Sequence, residues 1–165
     1  MVLVGGRTVL EVISPELARR IVARDEQPGD DWDPEYPFAD ELDPLRSLAA
    51  ASSTDPVFTM YLVRRRSDGL AVGGIGFFGP PDGTGTVEFG YGLVPSARGA
   101  GLATEAVELA LRHAADNGAQ AAVADTDVTN LASRRVLEKN GFVEVEVEVE
   151  VERRAAFLYY RRELA

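Results

Sequence analysis

The run Arg98-Gly99-Ala100-Gly101-Leu102-Ala103-Thr104 is suited to holding an anion. Two glycines beside an arginine make a short loop whose backbone N–H groups can converge. The residues after it, LATEAVELALRHAADNG, put Leu102, Ala106, Leu109, Ala110 and His113 at helical spacing. A glycine loop that feeds a helix N-terminus brings unpaired donors and the positive end of the helix dipole to one place, which favours a phosphate. Upstream, Val87, Phe89, Tyr91 and Leu93 alternate with Glu88, Gly90 and Gly92, the period of a strand with one buried face. Strand, phosphate loop and helix therefore follow one another.

Three kinds of phosphate loop fit that outline, and the residues separate them. A P-loop needs Gly-Lys-Ser/Thr to reach the terminal phosphates and a metal, whereas Gly101 is followed by Leu102. A dinucleotide fingerprint calls for Gly or Ala at 104 and an acid at the end of the next strand; Thr104 breaks it, although Asp125 would serve as the acid. What remains, RGAGLATEA, resembles the pyrophosphate loop of the GCN5-related N-acetyltransferases. A second block, Asn130-Leu-Ala-Ser133-Arg-Arg-Val-Leu137-Glu-Lys139-Asn-Gly141-Phe142, resembles the N-x-x-S-x-x-x-L-x-K-x-G-F segment of the same superfamily, in particular its ribosomal-protein-alanine acetyltransferase-like branch. The resemblance covers the second half of the chain well and the first half in outline.

The resemblance implies an α/β fold with a mixed, mostly antiparallel sheet, helices on both faces, and a gap between the central strand and the next one that admits the pantetheine arm of acetyl-CoA. It implies that Leu93 and Val94 offer backbone groups to that arm and to the thioester carbonyl. Arg98, Gly99, Ala100, Gly101, Leu102, Ala103 and Thr104 would hold the pyrophosphate, and Asn130 would hydrogen-bond the arm. Glu88, opposite in parity to Phe89 and Tyr91, stands where relatives carry a base; its other reading is a strand-surface carboxylate bonded across the sheet. Ser133 matches a residue proposed in relatives as a cofactor contact or thiolate proton donor. The tyrosine many members use as acid is missing, with Val136 or Leu137 at its place, and Ser96 replaces the Gln or Arg that opens the family's phosphate motif.

The function this implies is acetyl transfer from acetyl-CoA to a primary amine, on a small molecule or a protein N-terminus. A non-catalytic acyl-CoA-binding or regulatory domain would keep the loop and Asn130 without needing Glu88. A nucleotide-binding oxidoreductase fragment is disfavoured by Thr104 and by the single strand-helix-strand unit.

Composition narrows the chemistry. With 165 residues, 45% of them hydrophobic, the chain is expected to form one domain over residues 1–165. It has no cysteine and a single histidine, His113, which removes thiolate chemistry and gives no support to a His-rich metal site or a Ser-His-Asp triad. A net charge of -10 argues against a nucleic-acid partner and suits a cationic acceptor. MVLVGGRTVLEV lacks the features of a signal peptide, and no stretch reaches membrane-spanning length, so a cytoplasmic location is expected.

Read in order, residues 7–13 form a strand, and Ser14-Pro15-Glu16 caps a helix to about Arg24. DEQPGDDWDPEYPFADELDP follows as a long loop, with Trp32, Tyr36 and Phe38 among carboxylates. It reads either as a pinned surface loop or as an acceptor-binding lid in which Trp32 and Tyr36 are the walls. A short helix to Ala51, strands 57–66 and 70–78 around Ser67-Asp68-Gly69, the central strand, a strand 119–125 and a helix 130–139 complete the core. In the tail, five valines from Val143 to Val151 alternate with five glutamates. One regular strand would put every Glu on a solvated face, an acidic wall of the acceptor cleft, or a contact between two copies in a homodimer. Residues 155–162 close the sheet.

Overall fold

A computed structural model describes residues 2–164. Its strands are β1 (Val2–Val4), β2 (Thr8–Val12), β3 (Met60–Arg65), β4 (Ala71–Phe77), β5 (Thr86–Leu93), β6 (Ala121–Asp127), β7 (Val143–Val145) and β8 (Phe157–Glu163). The helices are α1 (Pro15–Val22), α2 (Leu42–Ala49), α3 (Leu102–Asp116), α4 (Leu131–Lys139) and α5 (Val151–Ala156). The strands make one sheet in the order β1-β2-β3-β4-β5-β6-β8-β7. Every neighbouring pair is antiparallel except β5 and β6, so the sheet is mixed and mostly antiparallel, as expected.

The break that matters lies at that parallel pair. β5 and β6 are joined only at Thr86↔Ala121, Val87↔Ala122 and Glu88↔Val123, and both strands then run on without pairing to each other. The sheet therefore opens into a wedge beyond Glu88. On β5 the side chains sort by parity. Phe89 packs on Phe142, just past α4, and Tyr91 reaches Ser133 of α4, whereas Gly92 faces Asp40 and Glu41 ahead of α2. Helices α3 and α4 thus cover one face and the α1–α2 segment the other.

Local chemistry explains the helices that frame the wedge. Ser14 Oγ accepts the Leu17 N–H at 3.0 Å, and Pro15 opens α1. α3 buries Leu102, Ala106, Val107, Ala110, Leu111 and Ala114 on a single face. Glu105 ties α3 to the turn before β2 by accepting the Arg7 N–H at 2.9 Å and the Thr8 hydroxyl. His113 is half-buried at the helix boundary, edge-on to Tyr61.

The Val-Glu tail departs from expectation. Only Val143–Val145 pairs as a strand, against Tyr159–Arg161 of β8, and residues 151–156 turn into α5. β7 is an edge strand with one neighbour; of the α5 arginines, Arg153 is drawn to Asp125 at 2.6 Å and lies over the Phe157 ring, while Arg154 lines a pocket with Glu144, Glu146 and Glu148. Among the described residues, no helix is long and apolar enough to cross a membrane.

Candidate active site

The phosphate loop has the backbone that its sequence implies. Gly99 and Gly101 sit at φ 83° and 78°, in the left-handed region where glycine is unstrained. Gly101 is the N-cap of α3 and has no side-chain cap. The first turn of α3 therefore directs its N–H groups outward with no internal acceptor. A side chain on Gly99 would meet nothing within 4 Å, so the mouth of the loop is open.

The loop forms one end of a cleft of about 330 Å³. Arg98, Gly99, Gly101, Leu102, Ala103 and Thr104 line it, and Asn130, Ser133, Arg135 and Lys139 of the α4 segment face them. Cationic groups thus gather at the cleft of a chain whose net charge is -10. Arg135 and Lys139 were missed from sequence as site residues, although they stand four residues apart on α4, a spacing that shares a helix face. Asn130 is the N-cap of α4, its Oδ1 accepting the Ser133 N–H at 3.0 Å, and its amide NH2 remains available to the cleft. Asn130→Ala should lower the melting temperature through loss of the cap, about 1 kcal/mol, and weaken CoA binding by a similar amount. Paired thermal melts and calorimetry would measure both.

The cleft continues into the wedge beside β5. The Val94 N–H donates to Val72 O at 2.8 Å and Phe78 N–H donates to Glu88 O at 2.9 Å, so the even-numbered residues of β5 turn their backbone groups to β4. Those of Tyr91 and Leu93 then face the wedge, where β6 supplies no partner. Val94 is a correction. Its N–H is taken by Val72, its C=O accepts Ala97 N–H at 3.0 Å, and the residue is fully buried, so its backbone has nothing to offer a ligand. The Tyr91 backbone, unlike that of Val94, is turned to the wedge. Leu93 keeps its N–H toward the wedge, while its carbonyl accepts the Arg98 Nε–H at 3.1 Å.

A tyrosine hydroxyl reaches α4 from the sheet. The Tyr91 hydroxyl lies 2.9 Å from Ser133 Oγ and 3.1 Å from the Ser133 carbonyl. Burial pushes the phenol up to about 12, against the Ser133 hydrogen bond that favours its charged form, so it stays protonated at neutral pH. Sequence parity puts Tyr91 on the same strand face as Phe89 but cannot pair it with a residue 42 positions away.

The family model described as an acetyltransferase (GNAT) domain matches residues 8–143. The chain belongs to the GNAT acetyltransferases. An uncharacterised N-acetyltransferase, YjdG of Bacillus subtilis, is 27% identical over 114 residues, covering 68% of this chain and 67% of that protein. The GNAT acetyltransferase structure from Bacillus anthracis superposes with a TM-score of 0.68 at 18% identity, over 99% of each chain. RimL, a ribosomal L7/L12 α-N-protein acetyltransferase solved in complex with coenzyme A, gives 0.70 at 18% identity, over 99% of this chain and 98% of its own. These two likenesses show the GNAT fold.

The remaining sequence-predicted residues of this GNAT domain fall in two places. Glu88 is exposed at the vertex of the wedge, outside the lining of the cleft and without a side-chain hydrogen bond among the described residues. It is therefore not the cross-sheet bonded carboxylate of its alternative reading. Trp32 and Tyr36 are not exposed lid walls. They are 7% and 4% exposed, pack edge-on to each other, and belong to the core beneath the α1–α2 segment. The segment itself does border the site. Glu35 accepts the Ser96 N–H at 3.1 Å, Phe38 lies under the Arg98 guanidinium, and Asp40 lines the cleft. Among the described residues, no group of three or more acidic or histidine side chains is placed to hold a metal.

Proposed function

We propose that this GNAT acetyltransferase moves the acetyl group of acetyl-CoA to a primary amine, carried by a small molecule or a protein N-terminus. The observation that carries the reading is the continuity of one cleft from the open, left-handed glycine loop to the unpaired backbone of β5. A pyrophosphate at the loop and an extended arm along Tyr91 and Leu93 would use the two sets of unpaired groups that this fold leaves behind. Arg98, Arg135 and Lys139 would neutralise phosphate charge. The likeness to RimL, a protein α-N-acetyltransferase solved with coenzyme A, supports both the co-substrate and the class of acceptor.

The chain's own residues supply three elements of the chemistry. The Leu93 and Tyr91 backbone would fix the thioester beside β5, giving the positioning on which amine attack depends. The Tyr91–Ser133 hydroxyl pair would deliver a proton to the departing thiolate, since a phenol held near 12 is a donor rather than a base. A carboxylate on the α1–α2 face, with Glu88 and the Asp40–Glu41 pair as the candidates, would take the proton of the ammonium.

Tyr91→Phe tests the donor. It should lower kcat by roughly 10–100-fold while leaving CoA affinity within about twofold, because the backbone contact is kept. Steady-state rates and CoA calorimetry on one preparation measure the two effects. A full-rate Tyr91→Phe would assign the proton to Ser133 alone or to water.

A further inference from the structure

Two glycines face each other across the centre of the sheet, and two carboxylates fill the space that they leave. Gly74 of β4 pairs with Gly92 of β5. Asp40 Oδ2 lies 3.0 Å, and Glu41 Oε1 3.5 Å, from the point that a Cβ on Gly92 would occupy; Glu41 Oε2 lies 3.3 Å from the corresponding point on Gly74. Two acids thus converge on one spot of the central strand. Gly92 and Asp40 both line the cleft, with Glu41 directly behind them.

Glu41 has no structural employment there. It is 6% exposed, and neither carboxylate oxygen has a well-formed hydrogen bond, the Gly74 backbone approaching it only weakly. It makes no side-chain bond to the start of α2 and no ion pair among the described residues. The buried Tyr36 hydroxyl nearby is unpartnered as well. Burying a carboxylate without a donor destabilises a fold, so a site that keeps one is arranged for something that arrives later.

We propose that Asp40 and Glu41 form the subsite for the acceptor's ammonium group, and that Glu41 is the base that removes its proton. This rests on the acetyltransferase reading above. Asp40, exposed at the cleft wall, meets the cation, and Glu41 takes the proton. The amine nitrogen then attacks the thioester carbonyl carbon; a C–N bond forms and the C–S bond breaks. The Tyr91–Ser133 pair protonates the departing thiolate to CoA thiol and is reprotonated with the nitrogen's second proton, and the proton on Glu41 passes to water. Burial first, and then the charge of Asp40, push Glu41 up to about 8, against the opposing Gly74 backbone. The other titratable group facing it is Tyr36, on which Arg64 also acts. An incoming ammonium restores the ionised form, which makes the pair a proton acceptor matched to neutral pH. Glu88 lies on the same face but four residues down β5, about 13 Å away at about 3.3 Å per residue, beyond reach of the same proton.

The test follows the Glu41 carboxyl by carbon-13 NMR in the CoA complex, assigned with Glu41→Gln, or with Glu41→Asp if the amide does not fold. The probes are n-butylammonium chloride and the tripeptide Ser-Ala-Ala. The expected result is a Glu41 midpoint well above those of surface glutamates, lowered by about one unit or more by at least one probe, with the response lost in Asp40→Asn. Two unresponsive probes, or a response that survives Asp40→Asn, overturn the proposal. Calorimetry with CoA on the same samples separates the failures: no CoA binding sinks the acetyltransferase reading, whereas CoA binding with an unmoved Glu41 sinks only the subsite. In turnover, Glu41→Gln should lower kcat by roughly a hundredfold at neutral pH, with a deficit that shrinks toward the amine's own pKa. A Glu88→Gln that behaves this way beside a Glu41→Gln that does not gives the base role back to Glu88.

Discussion

Gly99→Asp should abolish measurable CoA binding while leaving the chain folded. The left-handed backbone at φ 83° tolerates Asp better than most residues, and the added Cβ meets no atom within 4 Å, so the fold has little reason to fail. The new carboxylate would project into the mouth of the loop and face the pyrophosphate. Like charges set against each other cost several kcal/mol, roughly a hundredfold or more in affinity. Calorimetry with CoA, alongside circular dichroism to establish the fold, reads this directly. Gly101→Asp is a less clean probe, because its Cβ would come within 2.8 Å of Arg7 Nη1 and the new acid would find a cation there.

Glu41→Gln should change how stability depends on pH. A carboxyl raised from its ordinary 4.5 to about 8 holds its proton in the folded protein and releases it in the unfolded one across that interval. Its favourable contribution is complete below about pH 4.5 and is lost as pH rises to about 8. The wild-type protein should therefore lose stability over this window more steeply than the Gln variant, which has no proton to lose. At pH 8.5 the variant should melt higher relative to wild type than it does at pH 5, by roughly 5–10 °C for a chain of this size, equivalent to a few kcal/mol. Parallel melting curves for the two proteins would indicate that Glu41 ionises as a surface carboxylate does.

The parts of this site that were legible in the sequence are local. The alternation around Phe89, the two glycines and the periodicity from Leu102 each depend on neighbours within a few residues, and strand, loop and helix stand where those signals put them. Asn130 was singled out by the family motif alone, and its N-cap bond to the Ser133 N–H emerged with the structure. What escaped was tertiary. Tyr91 and Ser133 are partners only because α4 folds back over β5, and Asp40 and Glu41 reach β5 only because Gly74 and Gly92 pair across the sheet. In the sequence, DELDP looked like the end of an acidic loop. Trp32 and Tyr36 misled in the opposite sense, for aromatics in a Pro- and Asp-rich stretch suggest a lid, yet Trp32 bridges to Ala71 and anchors the segment to the sheet. The Val-Glu repeat had a strict period of two but too few strand partners to sustain it.

The most direct measurement mixes the purified protein with acetyl-CoA and a panel of primary amines and N-terminal peptides, following CoA thiol release and the mass of each amine together. At least one amine should gain an acetyl group in step with thiol release, and Gly99→Asp should abolish both signals. Tight CoA binding with no acetylated product from any amine, at neutral or alkaline pH, would contradict the acetyltransferase reading and leave an acyl-CoA-binding domain as the better description.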